Sequence, residues 1–489
     1  MPARDILPRD LLIEGLHALQ DRHGGLRPRD LDAVATQFAL APSEVFETAS
    51  FYAHFRLLEE DEAPPAAVAR VCRGPACAMR GADGVARDWA TKAHVEDHPC
   101  LGRCDHAPAV LVEAPHAASA SGHGYLLLER CRSGALARED ILAELEAAGL
   151  RGMGGAGFPT ARKWRTVAGY PGPRHVVVNA DEGEPGTFKD RHFLETDPAG
   201  VLEGALIAAW VIGAESVYLY LRDEYPHIRA MLLAEIAALP PGLPPVHLRR
   251  GAGAYVCGEE SALIESLEGK RGLPRQRPPY VAEVGLFGRP TLVNNVETLY
   301  WAREILDKGA AWFAGHGRHG HSGLRAYSVS GRVRVPGVKI APNGITVTEL
   351  IDEFCGGMAD GHDLAAYLPG GASGGFLPAR ITPPLAFGAI EEHGGFIGSA
   401  AVMVFSEADD LRVVAAGLAR FFAHESCGQC TPCRVGTARA ADLLEAGRWD
   451  AELLEDLAHV MRQASICGLG QAAPNVWQSL LRHFPEVVR

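Results

Sequence analysis

Over the first fifty-odd residues, apolar positions recur at steps of three and four. In LLIEGLHALQDRHGGL, RDLDAVATQFAL and SEVFETASFYAHF this spacing predicts three helices, with Pro28 and Pro42 marking starts. The period returns in RSGALAREDILAELEAAGL, a helix with a connector. Beyond it, the short apolar runs HVVVN and ESVYLYLR predict strands, and EYPHIRAMLLAEIAAL predicts a helix between later loops. Residues 325–405 carry short alternating runs, AYSVSGRVRVPGV and AVMVF, around ITVTELIDEF and broken by PGGASGGF. From residue 410 onward, DLRVVAAGLARFFAHES and AADLLEAGRWDAELLEDLAHVMRQAS regain helical period and predict a bundle. The pattern is that of an α/β multidomain protein.

Length agrees, since 489 residues hold several domains at about 150 residues each. The longest apolar stretch, LEGALIAAWVIGA, falls short of a bilayer span and carries an acidic residue near its start. A formal net charge of −13 argues against a nucleic-acid partner. The start, MPARDILPRD, lacks the apolar core of a secretory signal. With 11 cysteines and no such signal, metal binding in a reducing cytoplasm is expected over disulfides.

The cysteines carry the strongest chemistry. Cys427, Cys430 and Cys433 are spaced C-x2-C-x2-C, and Cys467 follows in SICGLGQ. Three thiolates on one tight turn with a remote fourth are the ligand pattern of a cubane 4Fe–4S cluster. Zinc also takes four cysteines, but its sites usually present two separated pairs. A second quartet lies at the front: Cys72 and Cys77 as C-x4-C, then 22 residues, then Cys100 and Cys104 as C-x3-C. Neither pair has thioredoxin redox spacing, which leaves a cluster or a paired-thiol zinc site. His98 and His106 lie beside these ligands and read as loop residues.

Between the quartets the chain offers ligand-binding loops. Gly152, Gly154 and Gly157 satisfy G-x-G-x-x-G, yet a helical period precedes them where a dinucleotide fingerprint needs a strand. The glycines still allow backbone to approach a phosphate or flat ring. Lys163 follows, either a phosphate partner or a surface lysine. Asn179, Asp181, Glu182 and Glu184 cluster after the strand-like HVVV, where α/β proteins place ligand groups, although a solvated turn would also be charged. Tyr255, Gly258, Glu259 and Glu260 sit at a helix start, where acidic residues also serve the helix dipole. Arg277, Tyr280, Asn294 and Asn295 complete the set.

From about residue 145 to the end, GMGGAGF, NADEGEPG, GAYVCGEES and the later motifs resemble the FMN- and NADH-binding (51 kDa-type) subunit of respiratory complex I and its soluble relatives. The front resembles the thioredoxin-like 2Fe–2S (24 kDa-type) subunit that accompanies it. The resemblance implies an N-terminal helical segment at 1–60 and a 2Fe–2S domain at 61–130. It further implies a Rossmann-like FMN/NAD(H) domain at 140–320, a ubiquitin-like β-grasp domain at 325–405 and a 4Fe–4S helical bundle at 410–489. FMN would be held by Gly152, Gly154, Lys163, Asn179, Asp181, Tyr255, Gly258, Glu259, Asn294 and Asn295, with Glu182 in the same loop. NADH would stack near Phe158, with Glu184 and Glu260 as the catalytic carboxylates at the nicotinamide or ribose. The metal ligands would be Cys72, Cys77, Cys100 and Cys104 for the 2Fe–2S cluster, and Cys427, Cys430, Cys433 and Cys467 for the 4Fe–4S cluster. Cys257, Cys131 and Cys355 are read as packing thiols.

Met153 stands where complex I usually has arginine, and RPPY at 277–280 replaces a lysine-plus-phenylalanine version. Both look more like the flavin subunit of NAD-dependent, molybdenum-containing formate dehydrogenases. The fused front domain points the same way, and NAD-reducing hydrogenases show a similar fusion. Formate or hydrogen chemistry would then sit on another subunit: for formate, a catalytic alpha subunit bearing molybdenum or tungsten, with a small 2Fe–2S subunit as a further partner.

Overall fold

The computed structural model describes residues 6–112, 116–446 and 449–486. The MPARD start, residues 113–115 after the last front strand, residues 447–448 and the final residues 487–489 lie outside the described residues. The helical preface forms as its period predicts, over Leu12–His23, Pro28–Phe38 and Pro42–Phe51. Prolines open the second and third helices, where a missing N–H costs nothing. Their buried faces (Leu16, Leu31, Val34, Phe38, Val45) join a core that includes Tyr220 and Leu263 of the central domain. His17 Nε2 meets the Gly251 carbonyl at 2.8 Å, and the Tyr52 hydroxyl donates to Lys270 O at 2.7 Å.

The front domain is a small mixed sheet. Strand β1 (Val68–Cys72) pairs in parallel with β2 (His94–His98) and antiparallel with β3 (Val110–Val112). The central domain is a fully parallel sheet of β4 (His175–Ala180), β5 (Ser216–Leu221), β6 (Val246–Arg250) and β7 (Thr291–Asn295), in the order β6-β5-β4-β7. LEGALIAAWVIGA lies in the helix Pro198–Ile212, which is buried almost all round, consistent with its lack of a polar face. It can lie against the helix Val296–Lys308 because residue 204 is glycine; a Cβ there would run into the Leu299 carbonyl. Among the described residues no helix is long and apolar enough to cross a membrane.

The third sheet runs β11 (Leu377–Pro378), β10 (Ala366–Leu368), β12 (Ala401–Phe405), β8 (Leu324–Gly331), β9 (Gly337–Pro342), with only β12 and β8 parallel. Its longer helical stretch begins at Val347 under a capping box, Thr346 with Glu349, and a short turn of helix covers Glu391–His393. The C-terminal bundle comprises Leu411–His424, Thr431–Glu445, Ala451–Ala464, Gly468–Ala472 and Asn475–His483. The apolar period over AADLLEAGRWDAELLEDLAHVMRQAS is thus two helices. Asp450 caps the second by accepting from Leu453 N at 3.1 Å.

Candidate functional site

Local geometry at the C-terminus gathers the late cysteines. Cys430 is the N-cap of the helix Thr431–Glu445, Cys433 sits in that helix's first turn, and Cys467 is the N-cap of Gly468–Ala472. With Cys427 they line one cavity, closed by Val256, Pro274, Ile466 and Leu469. Burial pushes the Cys433 thiol up to about 11 and that of Cys467 up to about 12. Thiols held neutral by a dry pocket become thiolates when a cationic metal centre supplies the missing charge, so the donor set fits a metal cluster.

The front quartet also converges, though from different elements. Cys72 is the last residue of β1, Cys77 lies in the turn of helix Pro75–Ala78, and Cys100 and Cys104 flank a loop. The Cys100 and Cys104 sulfurs are 3.8 Å apart, and Cys72 contacts both Cys77 and Cys100. The Ala109 amide donates to the Cys77 sulfur at 3.4 Å, the kind of bond that tunes a cluster potential. His98 is the last residue of β2 and buried, and His106 is exposed.

At the carboxyl ends of β4 and β7, parallel pairing brings Asn179 beside Asn295. The Asn179 amide donates to Gly258 O at 2.8 Å, while its carbonyl accepts from Asp181 N at 3.1 Å. Asp181 is a buried carboxyl whose Oδ2 has no hydrogen-bond partner. Burial pushes it well above the usual carboxylate range, so a bound group offering a donor or acceptor would complete it. The glycine run lies between the helices Arg138–Ala147 and Thr160–Ala168, with no strand before it. Gly154 passes so close to Asn295 that a Cβ would stand 3.0 Å from that residue's own Cβ. This floor of backbone and amides fits a flat, phosphate-bearing cofactor. Phe158 is 46% exposed beside it, with the Arg162 guanidinium over its ring.

One wall is charged. Lys163 Nζ meets Glu260 Oε2 at 3.1 Å, and Arg277 pairs with Glu259 and, at 3.7 Å, with Glu260. Burial pushes the Glu260 carboxyl up, but Lys163 and Arg277 outweigh it and hold the group below its ordinary range. Glu259 also caps the helix Glu260–Leu267, accepting from Ser261 N at 3.0 Å and Ala262 N at 2.9 Å. Glu184 accepts from the Tyr255 hydroxyl and from Ser373 N at 2.7 Å and Oγ at 2.8 Å; burial raises its carboxyl. Ser373 belongs to the PGGASGGF loop of the third sheet.

Glu182 serves the fold rather than the cleft. Its carboxylate accepts from Asp190 N at 2.7 Å, Arg191 N at 3.1 Å and the Tyr225 hydroxyl at 3.0 Å, capping the helix Lys189–Thr196. Asn294 is likewise committed, accepting from Trp164 Nε1 at 2.8 Å. Sequence reasoning missed Lys189, fully buried between Asp190 at 2.7 Å and Glu297 at 3.0 Å, which also donates to Asn295 at 3.2 Å. It missed Glu425, which accepts from Tyr255 N at 2.9 Å two residues before Cys427. No local motif marks either. Cys257 is buried among Tyr52, Tyr220 and Ser266, and Cys131 and Cys355 lie in separate apolar cores.

Three family models match the chain: the Nuo51 FMN-binding domain over residues 145–303, the NADH-ubiquinone oxidoreductase-F iron-sulfur binding region over 413–489, and the thioredoxin-like [2Fe-2S] ferredoxin over 4–122. An NADH-quinone oxidoreductase subunit of Rhodobacter capsulatus is 42% identical over 72% of this chain and 87% of its own length. The mitochondrial NADH-ubiquinone oxidoreductase 51 kDa subunit of Neurospora crassa is 42% identical, over 71% and 76%. The crystal structure of an NAD+-reducing [NiFe]-hydrogenase in the H2-reduced state superposes with a TM-score of 0.86 at 34% identity, covering 98% of this chain and 92% of that one. The two cysteine sets therefore belong to a 2Fe–2S and a 4Fe–4S region, and the central cleft to an FMN- and NADH-binding domain.

Proposed function

This chain belongs to the family of the NADH-ubiquinone oxidoreductase 51 kDa subunit, and we propose that it is the diaphorase subunit of an NAD-dependent formate dehydrogenase. As an NAD(H)-dependent flavin iron–sulfur module, it exchanges electrons between NAD(H) and its clusters; the terminal substrate is the proposed part. The observation that carries the electron route is the segment Tyr255–Gly258. Gly258 O accepts from Asn179 in the cleft, while Val256 lines the cavity of the four late cysteines. FMN, when bound, supplies the exchange of a two-electron hydride for single electrons.

The residues position and screen. Gly152 and Gly154 let backbone approach the flavin, Asn179, Asp181, Tyr255, Gly258 and Asn295 hold it, and Lys163 offers its ammonium to phosphate. Glu259, Glu182 and Asn294 keep these loops in register through the bonds described above. Phe158 offers NADH an exposed ring to stack on, and Glu184 and Glu260 face the nicotinamide or ribose. Glu260 does so as a carboxylate held charged by Lys163 and Arg277.

Met153, the RPPY segment and the fused front domain support the formate reading and a partner bearing molybdenum or tungsten. A second reading, an NAD-reducing hydrogenase, is favoured by the near full-length likeness to the hydrogenase chain. The complex that co-purifies anaerobically with the tagged chain distinguishes them. Molybdenum or tungsten with formate-dependent NAD+ reduction is expected. Nickel with hydrogen-dependent reduction would move the assignment to a hydrogenase, and iron alone with quinone reduction to a respiratory enzyme.

A further inference from the structure

Where the helical preface, the front domain and the central domain meet, three buried side chains converge outside both cysteine sets. His54 follows the third preface helix, His98 ends β2, and Glu224 lies just past β5. His54 Nε2 and His98 Nε2 are 3.0 Å apart, His98 Nε2 and Glu224 Oε1 3.1 Å, and His54 Nε2 and Glu224 Oε1 3.8 Å. All three side chains are at most 10% exposed.

We propose that His54, His98 and Glu224 form a zinc site that clamps the front domain to the central one. Two imidazoles and one carboxylate are a donor set zinc takes, and bonds of about 2.0–2.1 Å at tetrahedral angles put such donors about 3.3 Å apart. The three separations bracket that value. Proton accounting agrees at His54. His54 Nδ1 is 2.7 Å from Asp223 Oδ2, a carboxylate that only accepts, so Nδ1 carries the proton and Nε2 presents a lone pair to the centre. A single proton on His98 Nε2 would have to serve both that lone pair and Glu224. A cation satisfies all three donors at once. Asp223 then plays the part of the carboxylate that orients a zinc-bound histidine. In the absence of a metal, the neutralising charges include Arg250 and, at 3.8 Å, Arg70 on Asp223, and Arg222 on Glu224 at 2.8 Å. Arg222 also donates to Cys100 O at 2.6 Å, which ties the group to the 2Fe–2S loop.

Zinc and iron are counted by mass spectrometry on the intact, anaerobically purified chain, and the zinc neighbours are read by X-ray absorption. About one zinc per chain beside a full iron complement, with nitrogen and oxygen neighbours at about 2.0–2.1 Å, is the expected result. Asp223→Asn should weaken zinc binding about 10–100-fold in competition with a chelator, with FMN content unchanged. Iron-replete protein devoid of zinc overturns the proposal. Sulfur neighbours at about 2.3 Å overturn it too, since they place the zinc in the cysteine sets. So does a His54→Asn variant that keeps wild-type zinc.

Discussion

Glu184→Gln isolates the contribution of one charge at constant shape. The carboxylate joins the loop after β4 to the PGGASGGF loop through Ser373 and to Tyr255 through the phenol. Both Ser373 donors converge on Oε1, so glutamine keeps its oxygen there and turns its amide toward Tyr255, whose hydroxyl then accepts. At Tyr255 a bond to a charged acceptor, worth about 1.5–3 kcal/mol, becomes a neutral one worth about 0.5–1.5 kcal/mol, and the two Ser373 bonds weaken in the same sense. The Tyr255 bond alone contributes about 1–2 kcal/mol, so a fall of at least roughly tenfold in kcat/KM for NADH is expected where the loop geometry is used at the transition state. Glu184→Ala strands the buried donors outright and should cost about 1–3 kcal/mol more. Tyr255 is the one flavin-holding residue among these partners, and Asn179, Asp181, Gly258 and Asn295 keep their own contacts, so acid-released FMN should stay close to wild-type content. The assay is steady-state NADH oxidation with ferricyanide as acceptor. Kinetics within twofold of wild type for both variants would remove Glu184 from the nucleotide site, and parallel loss of FMN would reassign it to the fold.

Cys430→Ser should abolish the 4Fe–4S electron-spin signal while the 2Fe–2S signal persists, and a retained 4Fe–4S signal would refute that ligand. Glu182→Ala should destabilise the chain by about 2–4 kcal/mol, read in urea, because two helix amides and the Tyr225 hydroxyl lose their acceptor. His17 is held neutral by burial, pushed down to about 3 from its ordinary 6.5, with the Gly251 carbonyl as partner. Between those pH values the unfolded chain binds the proton and the folded one does not, so stability falls as pH drops, by up to about 1.4 kcal/mol per pH unit for this group. His17→Gln should flatten the urea midpoint between pH 7 and pH 5.5; an unchanged slope would show that other groups set it.

Features with a local cause were legible in the chain. Pro28 and Pro42 open helices because their missing amides are spare there, and the C-x2-C-x2-C turn holds three sulfurs near one another in any compact fold. The helical period before Gly152 correctly argued against a strand-borne dinucleotide fingerprint. The α/β class and the helical end followed from such periods, and the ferredoxin-like front from its resemblance to the 24 kDa-type subunit. What tertiary structure decided is which charges face which. Glu182 reads like its neighbours in NADEGEPG, yet its carboxylate turns to cap a helix eight residues on. Tyr255 gains its place between cleft and cluster only because Glu425, 170 residues away, accepts from its amide. Lys189 and Glu297, or His54, His98 and Glu224, meet across spans that no periodicity encodes. Sequence spacing reports the neighbours along a helix or strand, whereas a buried charge is placed by the partners that only the packing of distant elements can bring to it.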